Sequence, residues 1–110
     1  MRGEVTFQAL GEAWSLRFGN AEFCEVEDKF DRPFAHVARE LDGDMFSFRT
    51  FRALFRIGLQ RGRPAMSDRE AAELIDELGM EQALALLGGC IRSSLPQAKE
   101  PAPGEAPASA

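Results

Sequence analysis

Between residues 46 and 64 the chain places five arginines, Arg49, Arg52, Arg56, Arg61 and Arg63, and not one carboxylate. The whole sequence carries a net charge of -5, and without those five the remaining eight basic residues face 18 acidic ones, a balance of -10. On a helical wheel at about 100° per residue, Phe48, Phe51, Phe55 and Leu59 form an apolar stripe, and Arg49, Arg52, Arg56 and Arg63 form a cationic stripe beside it. Such a segment must bury one side and expose the other, so it constrains the fold as a helix laid on a core. Guanidinium groups can grip carboxylates or phosphates through paired hydrogen bonds, which makes the four stripe arginines the candidate partner-binding residues. Two readings of the stripe stand side by side. It either meets a partner or answers the chain's own carboxylates on residues 22–31 and 68–81, where each exposed pair would contribute no more than about 1 kcal/mol.

The rest of the chain reads as an α+β fold: an N-terminal β-hairpin packed on a bundle of four to five short helices. Residues 5–10 alternate loosely, Gly11 and Glu12 offer a turn, and Trp14, Leu16 and Phe18 alternate cleanly onto one face. A hairpin alone is marginal in water, so its apolar face must lie on the helices that follow. Asn20 is the expected N-cap of a helix to about Lys29 that buries Phe23, Val26 and Phe30 and shows Glu22, Glu25, Glu27 and Asp28 to solvent. Pro33 breaks that helix and fits the first turn of the next, expected to Leu41 with Phe34, Val37, Ala38 and Leu41 inward. Residues 42–44 read as a turn, with Ser47 or Met45 near the start of the basic helix and Gly62 near its end. Ser67 and Glu70 have capping-box spacing, and Ala71, Leu74, Ile75 and Leu78 continue as an apolar stripe to Gly79. A last helix over residues 80–94 is expected to bury Met80, Leu84, Leu87 and Ile91, with Gly88 and Gly89 allowing a neighbour to approach closely. Residues 1–95 are read as a single domain. Residues 96–110 hold no large apolar side chain and are expected to be a disordered Pro/Ala-rich tail.

Nine phenylalanines and a hydrophobic content of 45% supply a core. No apolar run of membrane-spanning length occurs, and the N-terminus lacks the apolar region of a secretory signal, so a cytoplasmic location is expected. Cys24 and Cys90 lie far apart without metal-ligand spacing, which predicts two small buried thiols. His36 has no nucleophile near it in sequence and reads as structural. The carboxylates at 22, 25, 27, 28 and 31 match no cation-binding loop and read as a solvated face. No catalytic residue, cofactor site or metal site is assigned, which points to binding work. An acidic chain disfavours nucleic acid, since affinity there comes largely from neutralising phosphates.

Taken in order, RGEV at 2–5, WSLRF at 14–18, EVED at 25–28, FRTFRALFRIGL at 48–59 and SDREAAELI at 67–75 resemble the gene transfer agent family of small phage tail proteins. The resemblance spans residues 2–94. It implies a non-enzymatic protein of the tail assembly chaperone group, one that holds or coats the tape-measure protein in the bacterial cytoplasm while the tail tube polymerises. The family label of tail tube protein would instead imply a structural component, tube or terminator, found in the particle. A tube subunit needs a large sheet and this chain offers one hairpin, which favours the chaperone. The expected partners are therefore the tape-measure protein or other tail proteins, with self-association open and no membrane role. A helix-turn-helix DNA binder built from residues 46–62 and 67–78 is the third alternative. It would need arginines at the N-terminal end of a recognition helix and a steep salt dependence, whereas the arginines here run the length of the helix before the turn.

Overall fold

The computed structural model describes residues 3–42 and 46–95. It is an α+β fold in the order expected: an antiparallel hairpin, β1 (Glu4–Ala9) and β2 (Glu12–Arg17), then, among the described residues, five helices. These are α1 (Asn20–Phe30), α2 (Phe34–Arg39), α3 (Phe48–Leu59), α4 (Asp68–Leu78) and α5 (Met80–Ser94). The expected tail lies outside the described residues.

Strand pairing sets Phe7 opposite Trp14 and Val5 opposite Leu16, so one hairpin face collects the large apolar side chains. The turn falls one residue earlier than the sequence suggests, on Leu10 and Gly11, because both take left-handed backbone angles (φ 54° and 75°). Two consecutive positive φ values match the right-handed twist of a two-residue hairpin, which leaves Glu12 free to pair with Ala9. The apolar face lies against α3 and α5. At its centre Gly58 of α3 is so close to β2 that an added Cβ would stand 2.8 Å from both Leu16 Cδ2 and Phe18 Cε2.

Helix α3 is the central element. The Ser47 hydroxyl accepts the Thr50 amide at 3.2 Å, and Phe51, Leu54, Phe55, Ile57 and Leu59 are all buried. Its inward surface is therefore wider than the four-residue stripe read from the wheel. Phe48, placed on that stripe by spacing, is instead 68% exposed. It occupies the first turn, and its ring meets that of Phe46 edge-on at 5.1 Å. The helix also ends at Leu59, so Gly62 and Arg63 fall in the following connection and the wheel does not place Arg63.

Helix α4 begins with the capping box read from the sequence: Glu70 N–H donates to Ser67 Oγ at 3.1 Å, and Ser67 N–H donates to Glu70 Oε1 at 2.9 Å. Ala71, Leu74 and Ile75 are buried, and Gly79 (φ 91°) separates α4 from α5. Met80, expected inside, is 38% exposed because it starts α5 at the edge of the bundle, where Ala83, Leu87, Cys90 and Ile91 make the contact instead. Gly88 and Gly89 do not admit a neighbouring element; the nearest atoms to an added Cβ there belong to Arg92 of the same helix.

At α1 the cap is Gly19 rather than Asn20, and Glu22 replaces a capping side chain by accepting the Gly19 amide at 2.8 Å. Glu22 is consequently buried, at 1% exposure, and not part of a solvated face. Cys24, expected to be buried, projects from the opposite side of α1 and is exposed. Pro33 is the N-cap of α2 and lies just outside it, while the helix stops at Arg39, short of Leu41. Ala38 and Leu41 are only partly buried. Residues 43–45, including the alternative start Met45, lie outside the described residues.

Candidate functional site

The arginines of the basic segment divide into three groups. Arg56 Nε donates to Asp68 Oδ1 at 2.9 Å, and Arg52 Nη2 lies 3.7 Å from Asp68 Oδ2, so the middle of the stripe converges on the first residue of α4. Arg63 and Arg61 follow the helix and turn elsewhere. Arg63 lies over the Trp14 ring, 4.0 Å from its centroid, and pairs with Glu12 at the start of β2. Arg61 grips Glu22 with two hydrogen bonds, Nε to Oε2 at 2.9 Å and Nη2 to Oε1 at 3.2 Å. Arg49 is exposed at the N-terminal end of the stripe and has no ion-pair partner among the described residues.

Around Arg49 and Arg52 the surface has a definite shape. On one side, between α3 and α4, is a groove of about 200 Å³ with an apolar lining of Phe48, Ala72, Ile75 and Met80 and with Asp76 contributed by α4. On the other is a cleft of about 480 Å³ bordered by Lys29, Phe30, Ala53 and Asp68. The two arginines line both. Four large apolar side chains are exposed among the described residues, and two of them, Phe48 and Met80, meet in this groove. Arg52 Nε is buried and has no hydrogen-bond acceptor among the described residues, an unmet donor that ordinarily costs about 1–3 kcal/mol.

A larger hollow of about 530 Å³ lies against the opposite face of α4, lined by Leu10, Trp14, Met66 and Leu74. Its charged groups are already matched: Arg63 with Glu12, Glu70 within the capping box, and Glu73 with Arg69 at 3.4 Å. The Phe48 groove keeps unspent donors and exposed apolar surface together, and it is the better candidate.

The remaining chemistry-bearing side chains have structural surroundings. Glu27 accepts the Phe34 amide at 2.7 Å and so caps α2, while Glu25 accepts Gln60 Nε2 at 2.7 Å. Burial pushes the Glu22 carboxyl up, but the Arg61 hydrogen bond, the Gly19 amide, its own amide and the Arg61 charge together hold it below its ordinary value. The Cys90 thiol is pushed up to about 11, chiefly by burial, and faces the Gly3 and Leu16 carbonyls at 3.4 Å. His36 is exposed on α2. Among the described residues no three His, Cys, Asp or Glu side chains could hold a metal ion, and no helix is long and apolar enough to cross a membrane.

Spacing alone located Arg49 and Arg52, but it put Phe48 in the core and missed Lys29 and Met80. The usable signal was position: Phe48 directly follows the Ser47 cap and Met80 directly follows Gly79, so both sit in first turns that overhang the bundle. Comparison with protein-family models, curated proteins and solved structures finds no match to this chain.

Proposed function

We propose that this chain is a non-enzymatic tail assembly protein of the phage and gene transfer agent kind, a chaperone that holds the tape-measure protein in the bacterial cytoplasm during tail morphogenesis. The observation that carries the reading is the juxtaposition of exposed Phe48 and Met80 with Arg49 and Arg52 in one groove. Aromatic side chains, Met and Arg are the residues enriched where proteins meet, and a groove between helices suits a helical occupant. A tape-measure protein is a long helical chain whose apolar stripes need cover until the tube encloses them, so the groove fits the role that the sequence resemblance implies.

DNA binding fits less well. The helix after the turn carries Asp68, Glu70, Glu73, Asp76 and Glu77, and would present carboxylates to the phosphate backbone. A tube subunit would need more sheet than the two strands described here.

The test is co-expression with the tape-measure protein from the same tail gene cluster. A stoichiometric soluble complex, with this chain missing from purified particles, supports the chaperone. Insoluble, uncomplexed tape-measure protein removes that support, and recovery of this chain in purified particles makes it a structural component.

A further inference from the structure

We propose that the Phe48 groove takes an amphipathic helix of one polarity: an apolar stripe edged with carboxylates on the side that meets Arg49, Arg52 and Lys29, and free of carboxylates on the side that meets Asp76. The identity of the protein bearing that helix rests on the chaperone reading; the polarity and the groove do not.

The apolar half of the match follows from exposure. Phe48 is 68% and Met80 38% exposed, and together with Ile75 and Ala72 they form a continuous apolar wall between α3 and α4. The charged half follows from unmet hydrogen bonding. Arg49 and Lys29 are exposed and have no ion-pair partner among the described residues. Arg52 is partly exposed and holds Asp68 only at 3.7 Å. A carboxylate docked against the exposed part of the Arg52 guanidinium, or on Arg49, would form the charge-assisted hydrogen bonds that guanidinium groups make best.

Spacing sets the register. Phe48 and Arg52 are one helical turn apart on the same side of α3, a rise of about 6 Å. A partner helix lying along α3 matches this with a large apolar residue and a carboxylate three or four positions away. Asp76 comes from α4 while the arginines come from α3, and this sets the direction, because a second carboxylate edge on the α4 side would meet it. Phosphate is the poorer ligand for these arginines, since the neighbouring wall is apolar and α4 is strongly acidic.

The test uses the full chain and two synthetic amphipathic peptides of about twenty residues, long enough to span the groove with turns to spare. Both carry the same Leu/Phe stripe; one has Glu along a single edge and the other has Lys there. The Glu peptide is expected to bind about tenfold more tightly at low salt, with amide shifts centred on Phe48, Arg49, Ile75 and Met80. The preference should shrink at high salt and invert in Arg49→Glu, whose side chain is exposed and can be changed without touching the core. Phe48→Ser should weaken both peptides. Equal binding of the two peptides, shifts centred elsewhere, or an unaltered preference in Arg49→Glu would overturn the assignment. No tape-measure protein enters the assay, so its result and the outcome of the co-expression test fail independently.

Discussion

Replacing Gly58 with alanine should destabilise the protein, against the usual effect of that substitution. In a helix interior Gly→Ala ordinarily gains about 1 kcal/mol, because alanine has less backbone freedom to lose. Here the new methyl would stand 2.8 Å from Leu16 Cδ2 and 2.8 Å from Phe18 Cε2, closer than carbon atoms tolerate. Neither side chain has room to retreat: Leu16 is 0% and Phe18 2% exposed, both pressed between the hairpin and α3. Overpacking a filled core costs about 1–3 kcal/mol, so the net effect is a loss of about 1 kcal/mol and a fall in Tm of about 5 °C for a domain of this size. Urea denaturation followed by helix circular dichroism measures the difference. The same substitution in a Leu16→Ala background should cost less, because one of the two clashes is gone and the sites are coupled. A rise in Tm for Gly58→Ala would refute the claim that β2 touches α3 at this point.

Other outcomes follow from single contacts. Leu10 holds a left-handed conformation in the hairpin turn while exposed, so Leu10→Asn should stabilise by about 1 kcal/mol, read as a higher urea midpoint. Because the folded Glu22 carboxyl sits below its unfolded value of 4.5, its contribution is complete above that pH and drains away as pH falls through the lower folded value. Glu22→Gln should therefore lower stability at neutral pH and flatten the acid limb of a stability profile; an unchanged limb would contradict the Arg61 pairing. A thiol reagent added to native protein should label exposed Cys24 quickly and buried Cys90 only on unfolding, and equal rates would contradict the packing of α5 on the hairpin.

The elements and their order were legible because their signals are local. Ser67 with Glu70, Ser47 before the basic helix, and the alternation of Trp14, Leu16 and Phe18 each act within a few residues and leave a mark in spacing. Burial at helix starts was not legible, since Phe48 and Met80 satisfy the apolar period but sit in first turns at the edge of the bundle, where they stay exposed. The inward turn of Glu22 depends on Arg61, 39 residues away, which no periodicity reports. Nothing in the spacing singles out Gly58, and its role appears only when β2 is laid across it. For the candidate site, charge spacing found the arginines, while their separation into paired and open groups was set by Asp68, Glu12 and Glu22 in three dimensions.

The most direct test of the functional account is the yield of soluble tape-measure protein on co-expression with the wild-type chain and with a Phe48→Ser, Arg49→Glu double variant of matched Tm. The account predicts a stoichiometric complex with the wild type and mostly insoluble tape-measure protein with the variant. Insoluble tape-measure protein beside the wild-type chain, or full rescue by the double variant, would contradict it.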